Sequence, residues 1–454
     1  MRVYRTHIHT NRERASLPAR NLRCLSGLVQ RDSRQYRLCS EMRIAVVGTG
    51  ISGLGAAWLL APRHDVHVFE RESRVGGHTH THRVDGPHGS VALDSGFIVY
   101  NEETYPLLTK LLAALGVRSQ PIDMSFSFEC ERCRLVYSGL GLGGVLADPR
   151  NAVRPGFLKF LASIQRFHAA GRRSGATRDA PTLRDFVAKA GSEVLGRHYA
   201  YPLASALWST GIPSVERFPA DMFVDFFRRH RLFQLRGRLQ WLSIPGGSST
   251  YVRAMLGRLE ERVHTGFPVR SVVRREASCR LHFADGTSQE FDRVILATHA
   301  DEALAILQKP SDAERELLGA WRYATNETWV HSDPAFLPSR AAAYASWNYH
   351  VSDCRNPSPV TTMTYNLNRL QRLDPATPRL VTLNPSRPPN RVHDRVTYTH
   401  PVYTVASAAT RSSISALNGE RGTYFCGAYL GFGFHEDGFQ SAVEAAEQLG
   451  ATLE

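Results

Sequence analysis

The sequence lacks the features that would place it in a membrane or in a secreted, disulfide-stabilised class. No apolar run reaches the roughly 18 residues that a membrane span requires. The seven cysteines are odd in number and scattered, unlike a secreted disulfide framework, so a reducing cytosol is the expected compartment. Basic residues are spread along the chain without a nucleic-acid-binding motif, which argues against a nucleic-acid partner. With 454 residues, 43% of them hydrophobic, the chain can bury two cores.

Acidic residues are scarce at the start of the chain. Residues 1–41 contain nine arginines and three acids, and so contribute +6 of the formal net charge of +13. The segment has no apolar core and no periodic pattern, and Met42 lies just before the first predicted strand. Residues 1–41 are therefore expected to be a disordered leader or the product of a mis-assigned start, with an arginine-rich transit peptide as the alternative.

The most informative pattern is a strand, glycine turn, helix and strand near residue 50. An apolar run at 44–47 predicts a buried parallel strand, and the turn 48–53 leads into a helical stretch at 54–60. A second strand at 66–69 ends at Glu70. In such a unit the three glycines permit the tight turn, the approach of a pyrophosphate and close helix packing, while the carboxylate meets the ribose. The unit predicts a dinucleotide site that disfavours NADP.

A second pair of glycines follows in Arg74-Val75-Gly76-Gly77-His78, a segment for which plain NAD dehydrogenases have no need. It resembles the Arg-x-Gly-Gly-Arg/His stretch of two-domain FAD enzymes of the amine oxidase and phytoene desaturase superfamily. In that superfamily the paired glycines pass close to the cofactor phosphates, so the resemblance implies FAD. No cysteine matches a covalent flavin attachment site, so FAD is expected to be non-covalent. The implied fold is α/β, with a discontinuous Rossmann-type FAD-binding domain and an α+β substrate domain.

Two later segments complete the cofactor fold. Residues 245–300 predict a helix, a strand through 263–273, a hairpin, and a buried strand like the acid–apolar–Ala-Thr strand of these flavoproteins, with His299 replacing their usual third glycine. Near the C-terminus, a closing strand and helix carry Ala428 where the superfamily usually has an acid, and Asp437 is the expected substitute. The expected domains are 42–100, 243–300 and 415–454 for FAD, and 101–242 and 301–414 for substrate. The expected cofactor-binding residues, from pattern and resemblance together, are Gly48, Gly50, Ser52, Gly53, Glu70, Arg71, Arg74, Gly76, Gly77, His78, Val269, Ala297, Gly427, Asp437 and Gly438.

Further segments resemble one branch of the superfamily more closely. They are 93–101, 104–106, 123–127, 208–210, 218–220, 347–349 and 433–438. The branch comprises bacterial NAD/FAD-binding oxidoreductases and the flavin-like N-terminal half of plant cyclopropane fatty acid synthases. Bacterial members are often encoded beside cyclopropane-synthase-like methyltransferases, which implies chemistry on lipid acyl chains and a methyltransferase partner.

The expected chemistry is hydride transfer at flavin N5, where positioning supplies much of the catalysis. Amine oxidases usually carry a lysine near N5, but the matching strand 326–330 has none, and the nearest, Lys309, precedes a helix. The usual aromatic cage is also missing, although Tyr429 and Phe432 are close to its place. These absences count against a standard amine oxidase and favour a reductase or dehydrogenase of an apolar substrate. Together with the lipid chemistry that the resemblance implies, they lead to the expectation of hydride transfer to or from a carbon of a lipid-like, fatty-acyl substrate. Two alternatives stay open: an FAD-dependent oxidase of a small amine or isoprenoid, and a flavin-binding accessory subunit of a lipid methyltransferase.

Four residues are weak candidates for the catalytic pocket: Trp347, Tyr349, Tyr365 and His435. Core packing is the competing interpretation for each of them, and His435 can instead cap the final helix. No metal site is expected. Cys130-Glu131-Arg132-Cys133 has zinc spacing but no second pair of ligands. For the alternating His78, His80 and His82, contacts to phosphate or water are the simpler interpretation.

One further pattern concerns membranes. The stretch 150–178 carries seven basic residues and no acid, and five apolar residues follow helical spacing: Phe157, Phe160, Leu161, Ile164 and Phe167. Such a helix either lies on an anionic membrane or docks on the substrate domain, and docking is the favoured interpretation. An aromatic and basic stretch at 223–238 adds to the membrane case. The expected location is cytoplasmic, with peripheral contact to the inner membrane surface as a hypothesis.

Overall fold

The computed structural model describes residues 41–86, 89–173, 175, 177–234 and 236–453. The prediction of a leader concerns residues 1–41, and all of these except Glu41 lie outside the described residues. The strands are β1 Arg43–Val47, β2 Asp65–Glu70, β3 Thr81–Gly86, β4 Gly89–Asp94, β5 Gln120–Ile122, β6 Phe126–Cys130, β7 Leu135–Ser138, β8 Trp241–Ser243, β9 Val263–Thr265, β10 Val269–Arg274, β11 Cys279–Phe283, β12 Ser288–Phe291, β13 Arg293–Leu296, β14 Arg322–His331, β15 Trp347–Val351, β16 Met363–Asn366, β17 Leu380–Leu383, β18 Val392–Val402 and β19 Thr423–Phe425.

The helices lie between these strands, with short 3-10 turns and a π-helical turn at Gly196–Ala200. They are α1 Ile51–Leu60, α2 Pro106–Ala114, α3 Gly141–Val145, α4 Pro155–Arg172, α5 Leu183–Ala190, α6 Glu193–Leu195, α7 Tyr201–Trp208, α8 Ile212–Val215, α9 Ala220–Arg229, α10 Ser249–Leu259, α11 Ala300–Ile306, α12 Asp312–Gly319, α13 Leu367–Leu370, α14 Val405–Ala409, α15 Arg411–Ala416 and α16 His435–Gln448.

The predicted Rossmann-type sheet is present. Five parallel strands lie in the order β19-β13-β1-β2-β9 and come from three separate parts of the chain. Strand β1 is apolar and almost wholly buried, as expected of a central parallel strand. Helix α1 contacts both α10 and α16, and the three helices share one apolar core with the sheet.

A second, mixed sheet has the strand order β18-β14-β17-β16-β15-β6-β7. Strands β15 and β6 are parallel, and the other neighbours are antiparallel. Helices α4, α5, α7 and α9 build an aromatic core that packs with this sheet. The combination of a parallel sheet with a mixed sheet confirms the predicted α/β fold class.

The prediction of one continuous strand over residues 263–273 is wrong. Gly266 adopts a φ of +70° and is followed two residues later by Pro268, so the extended chain is broken there. Before the break β9 closes the parallel sheet, and after it β10 opens an antiparallel sheet with β11 and β12.

The aromatic faces considered for membrane contact are buried inside the protein. Phe157, Phe160 and Phe167 of α4 are each at most 4% exposed, which confirms docking as the better interpretation of this helix. The stretch 223–238 likewise buries Phe223, Phe226, Phe227 and Phe233. Among the described residues, no helix combines the length and apolarity needed to cross a membrane.

Candidate functional site

A cavity of about 1180 Å³ begins at the carboxyl ends of the parallel strands. Val47, Glu70, Ala297 and Gly427 line it at or just after the ends of β1, β2, β13 and β19. Ligands of open α/β sheets bind in this position, outside the carboxyl ends of the strands. The cavity continues from there towards the mixed sheet, where Trp347 lines it. Its volume exceeds the usual 300–1,000 Å³ of a small-molecule pocket, so it has room for a large cofactor together with a substrate.

The glycines of the first turn meet three different requirements. Gly48 has a φ of +104°, and a Cβ placed on it would lie 2.7 Å from the carbonyl oxygen of Ala297. A Cβ on Gly53 would lie 1.9 Å from the carbonyl oxygen of Gly48, so only glycine lets α1 start this close to β1. A Cβ on Gly50 would meet nothing within 4 Å. The turn is therefore tight at Gly48, closely packed at Gly53 and open towards the cavity at Gly50.

Glu70 is held at the cavity by the same turn. Its Oε2 accepts hydrogen bonds from the Thr49 backbone N–H at 3.0 Å and from the Thr49 hydroxyl at 2.5 Å, and its Oε1 accepts from the Glu72 N–H. The carboxylate is thus fixed at the end of β2, where a ribose would lie in a dinucleotide site. Thr49 orients this carboxylate, a role that the sequence pattern did not assign to it. Arg71, next in the chain, pairs with Glu302 at 2.6 Å.

The second glycine pair lies against the first turn. A Cβ on Gly77 would come within 3.0 Å of the Gly50 Cα, so the two segments form one cradle of bare backbone. The Arg74 guanidinium donates to the carbonyl oxygens of Gly77, Thr79 and Val75 at 2.7, 3.0 and 3.2 Å. Arg74 therefore fixes the shape of this loop, besides lining the cavity.

The C-terminal segment closes the cradle from the other side. The Gly427 N–H donates to the Ser441 hydroxyl at 2.9 Å, and Gly438 lets α16 pack against Ile51 at the start of α1. Asp437 does not take the place of the missing acid at Ala428, because its carboxylate accepts from the Phe434 N–H at 2.9 Å and does not line the cavity. Burial raises the pKa of Asp437 to about 6.

Most of the expected cofactor residues meet at this cavity. Those that line it are Gly48, Gly50, Ser52, Glu70, Arg71, Arg74, Gly77, His78, Val269, Ala297 and Gly427. Those that lie behind its wall are Gly53, Gly76, Asp437 and Gly438.

Three of the four weak catalytic candidates line the same cavity. Trp347 and Tyr365 are cross-strand partners on β15 and β16, and their ring centroids lie 5.4 Å apart. His435 stacks on Phe97 at 3.7 Å and is hydrogen-bonded to the Thr79 hydroxyl, so it contacts the cavity wall and does not cap α16. Tyr349 is excluded, because it is 4% exposed and donates to Ser205 within the core.

A group of half-buried histidines, which the sequence did not reveal as a group, also faces the cavity. The His78 ring lies 5.2 Å from that of His400 and 6.3 Å from that of His299. Burial lowers the pKa of His78 to about 4 and that of His435 to about 3, and it lowers the pKa of His299 and His400 in the same direction. These imidazoles are therefore neutral near pH 7. His400 comes from β18, and only the three-dimensional fold brings it beside His78.

Two clusters of metal-ligand types occur in the described residues. His82 is hydrogen-bonded through both ring nitrogens, to Asp394 at 2.6 Å and to Ser95 at 2.7 Å, which leaves neither nitrogen free beside His80. The second cluster contains Cys130 and Cys133. No second pair of ligands lies near these two cysteines in the sequence, but the fold places Cys354 and His198 beside them.

Comparison with known proteins gives the family. The model of the flavin containing amine oxidoreductases matches residues 51–336. No curated protein matches the chain at a significant level. The similar solved structures include the CLA-producing fatty acid isomerase from P. acnes, with a TM-score of 0.62, 18% identity and coverage of 88% of this chain and 97% of that one. Cyclohexylamine oxidase from Brevibacterium oxydans has a TM-score of 0.62 and 16% identity, covering 90% and 99% of the two chains.

A putrescine oxidase with bound putrescine is similar to the same degree, with a TM-score of 0.63, 15% identity and coverage of 90% and 99%. Identities this low establish a shared fold only. The family model, in contrast, matches more than half of the chain, from the first residue of α1 onwards. The protein therefore belongs to the flavin containing amine oxidoreductase family and is an FAD-dependent oxidoreductase.

Proposed function

We propose that this protein transfers hydride between flavin N5 and a carbon of a lipid-like, fatty-acyl substrate. Bound FAD supplies the hydride acceptor or donor for this chemistry. The open backbone at Gly50 and the N-terminus of α1 suit the diphosphate, and Glu70 suits the adenosine ribose. FAD is held without a covalent bond in this proposal.

The observation that carries the proposal is the apolar wall beyond the cofactor cradle. Tyr199, Leu203 and Leu207 are spaced four residues apart, so the π-helical turn and α7 present one continuous stripe to the cavity. Other apolar residues lining the cavity are Phe126, Leu232, Leu239, Trp347 and Leu383. Such a wall can hold an acyl chain by burial of its methylene groups, each of which contributes about 0.8 kcal/mol.

The charged groups of the lining disfavour an amine substrate. A buried ammonium ion needs a free carboxylate as partner. The carboxylates in the lining are engaged elsewhere: Glu72 and Glu302 pair with Arg71, Asp123 pairs with Arg369, and Glu70 is the proposed partner of the adenosine ribose. The sequence also contains only four lysines, at 110, 159, 189 and 309, and none of them lines the cavity. The lysine typical of amine oxidases thus has no equivalent among the lining residues.

Arg238 can bind the polar end of the proposed substrate. Its exposed side chain lines the cavity, and among the described residues it takes part in no ion pair. An anionic head group, carboxylate or phosphate, would meet this guanidinium while the acyl chain enters the apolar wall. One of the similar structures is a fatty acid isomerase, which supports the view that this fold can hold an acyl chain.

The test is a titration of the FAD-loaded protein with fatty acids of increasing length, followed by the change in flavin absorption. Affinity is expected to rise with each added methylene group, whereas putrescine produces no change. Leu203→Asp is expected to weaken acyl binding by roughly 10-fold or more, since burial of one leucine side chain is worth about 1.5–3 kcal/mol. Val392→Asp, at an exposed position outside the cavity, is the matched control and leaves binding unchanged. Tight binding of diamines without any chain-length dependence would contradict the proposal.

We also propose peripheral membrane contact. The surface that makes this contact is not one of the buried aromatic faces of α4 and residues 223–238. Leu142, Val153 and Leu158 are 81%, 79% and 54% exposed, and exposed Lys159 lies beside Leu158 in the chain. Asp148, the only acid in residues 139–173, is buried and paired with Arg150, so this surface is basic and suits an anionic phospholipid bilayer.

The same surface adjoins the cavity, because the cavity-lining residue Gly139 lies two residues before α3. Wild-type protein is expected to sediment with anionic liposomes at low salt, and the double variant Leu142→Glu/Leu158→Glu is expected to stay in the supernatant. Equal sedimentation of the two proteins would refute contact through this surface. A cyclopropane-synthase-like methyltransferase is the proposed partner, and co-elution of the two purified proteins in size-exclusion chromatography tests it.

A further inference from the structure

Four side chains with metal-ligand chemistry meet at one edge of the mixed sheet, away from the cofactor cradle. The Sγ atoms of Cys130, Cys133 and Cys354 all lie within 4.8 Å of one another. The Nε2 atom of His198 lies 3.2 Å from the Cys354 Sγ and 3.6 Å from the Cys133 Sγ. The Sγ atoms of Cys133 and Cys354 lie 3.4 Å apart.

The fold holds these ligands on three backbone segments: the β6–β7 hairpin, the chain after β15 and the π-helical turn. Cys130 ends β6 and Cys133 lies in the turn to β7, which gives the two-residue spacing of a zinc knuckle. Strand β15 runs parallel to β6 with Val351 beside Cys130, so the chain leaving β15 carries Cys354 to the turn. Two backbone hydrogen bonds, from Glu131 to Val351 and from Arg132 to Ser352, join the turn to that segment.

The fourth ligand comes from an unusual backbone conformation. His198 lies in the middle of the π-helical turn Gly196–Ala200, and π-turns of this kind occur frequently at functional sites. The Tyr137 hydroxyl donates to the His198 carbonyl oxygen at 2.7 Å and so fixes this turn against β7. The imidazole is directed at the two thiols, which accounts for the position of the π-turn.

We propose that Cys130, Cys133, Cys354 and His198 bind a structural Zn²⁺ ion. Three sulfurs and one imidazole nitrogen form a known tetrahedral zinc set, and Zn–S bonds of about 2.3 Å place neighbouring sulfurs roughly 3.8 Å apart. The distances of 3.4, 3.2 and 3.6 Å among Cys133, Cys354 and His198 are close to this arrangement, and the Cys130 Sγ lies within 4.8 Å of both other sulfurs. All four tetrahedral positions are taken by protein, so the ion has a structural and not a catalytic role.

Charge and protonation fit the same assignment. On binding, the three thiols release their protons to solvent and no electron is transferred, so the filled site carries a net charge of −1. Arg355 lies near Cys133 and supplies compensating positive charge.

The alternative for this cluster is a disulfide between Cys133 and Cys354. A disulfide needs an S–S distance of about 2.05 Å, and it would leave Cys130 and His198 with no role. Zinc explains all four residues. It would also tie the β6–β7 hairpin to the turn that precedes α7, whose Leu203 and Leu207 line the cavity. The ion would therefore hold the substrate-side wall in place, a role independent of the identity of the substrate.

The test is metal analysis of the full-length protein purified without chelator. One zinc per chain is expected in the wild type, and less than about one-tenth of that in Cys133→Ser, Cys354→Ser and His198→Gln. Cys279→Ser is the matched control, since Cys279 is a buried cysteine outside the cluster, and it keeps one zinc. If the cluster variants do not fold, titration of the wild type with a mercurial reagent is expected to release one zinc as the cluster thiols react.

Three results would overturn the assignment. The first is a wild-type protein that contains no zinc and takes up none when Zn²⁺ is added. The second is a Cys133–Cys354 disulfide, detected by peptide mapping under non-reducing conditions. The third is iron with acid-labile sulfide in place of zinc. None of these results depends on FAD or on turnover, so the zinc assignment stands or falls separately from the proposed function.

Discussion

Substitution of Gly50 by alanine separates cofactor binding from folding. Gly50 has a φ of −65° and a ψ of 179°, which any residue can adopt, and an added Cβ meets no atom within 4 Å. The apoprotein should therefore keep its stability, or gain about 0.4–1 kcal/mol because alanine restricts the unfolded chain. The methyl group, however, would occupy the open space that the diphosphate of FAD is proposed to fill.

The size of the effect follows from the contacts that the methyl group prevents. A phosphate held away from the turn loses at least one hydrogen bond between a backbone N–H and a charged oxygen, worth about 1.5–3 kcal/mol. Since 1.4 kcal/mol is a factor of ten, FAD should bind roughly 10- to 150-fold more weakly to Gly50→Ala. Quenching of flavin fluorescence on titration of the apoprotein measures the affinity, and circular dichroism during heating measures the stability.

Gly53→Ala is the matched control, because its Cβ would lie 1.9 Å from the Gly48 carbonyl oxygen. Overpacking of this kind costs about 1–3 kcal/mol and acts on the fold itself, so the Tm of the Gly53→Ala apoprotein should fall. Gly50→Ala should thus lower the FAD affinity, whereas Gly53→Ala should lower the stability of the apoprotein. Unchanged FAD affinity in a stable Gly50→Ala protein would show that the diphosphate does not lie over this turn, and would refute the reasoning.

Three further predictions concern single side chains. Glu70→Gln should weaken FAD by roughly 10-fold, because a charged acceptor of the ribose hydroxyls is lost, and the same fluorescence titration measures it; unchanged affinity would place the ribose elsewhere. Burial lowers the pKa of His435 to about 3, from 6.5 in the unfolded chain, so the unfolded state takes up more protons below pH 6.5 and stability falls as the pH drops towards 4. His435→Gln removes this contribution. Between pH 6.5 and 4 the free energy of unfolding of the variant, measured with urea, should fall by about 3 kcal/mol less than that of the wild type. Identical falls would mean that the imidazole is protonated in the folded state. Glu314→Ala should destabilise the fold by about 3–5 kcal/mol in the same assay, because it leaves the fully buried Arg274 without its ion-pair partner; a loss below about 1 kcal/mol would show that water reaches this arginine.

The parts of the site that are local in sequence could be predicted. Gly48, Gly50 and Gly53 lie within six residues, and their backbone requirements can be inferred from the spacing alone. Glu70 was predicted for the same reason, since it ends the strand next to the turn. Local patterns also predicted the hairpin at Asp285 and the final strand and helix.

The direction of single side chains and the contacts between distant parts of the chain could not be predicted. Asp437 is close in sequence to the cavity-lining residue His435, yet its carboxylate caps α16 by accepting a hydrogen bond from the Phe434 N–H. Cys354 lies 221 residues from Cys133, and only the parallel pairing of β15 with β6 brings them together. His400 reaches the cavity through the pairing of β18 with β14, for which the sequence holds no local signal.

The aromatic helices illustrate a different limit. Helical spacing correctly identified one apolar face on α4, but it could not say whether that face meets lipid or protein. The surface that is exposed, at Leu142, Val153 and Leu158, does not form a periodic stripe, because it combines residues of α3, a 3-10 turn and α4.

Hydride transfer between FAD and an acyl substrate can be observed in the anaerobic absorption spectrum of the FAD-loaded protein, recorded before and after addition of acyl lipids. An unsaturated or methyl-modified phospholipid is expected to change the redox state of the flavin, either by bleaching the oxidised band or by restoring it in protein reduced beforehand. Putrescine and other primary amines are expected to leave the oxidised band unchanged. Rapid bleaching by an amine, together with no response to any acyl lipid in either redox state, would show that the substrate is not an acyl lipid.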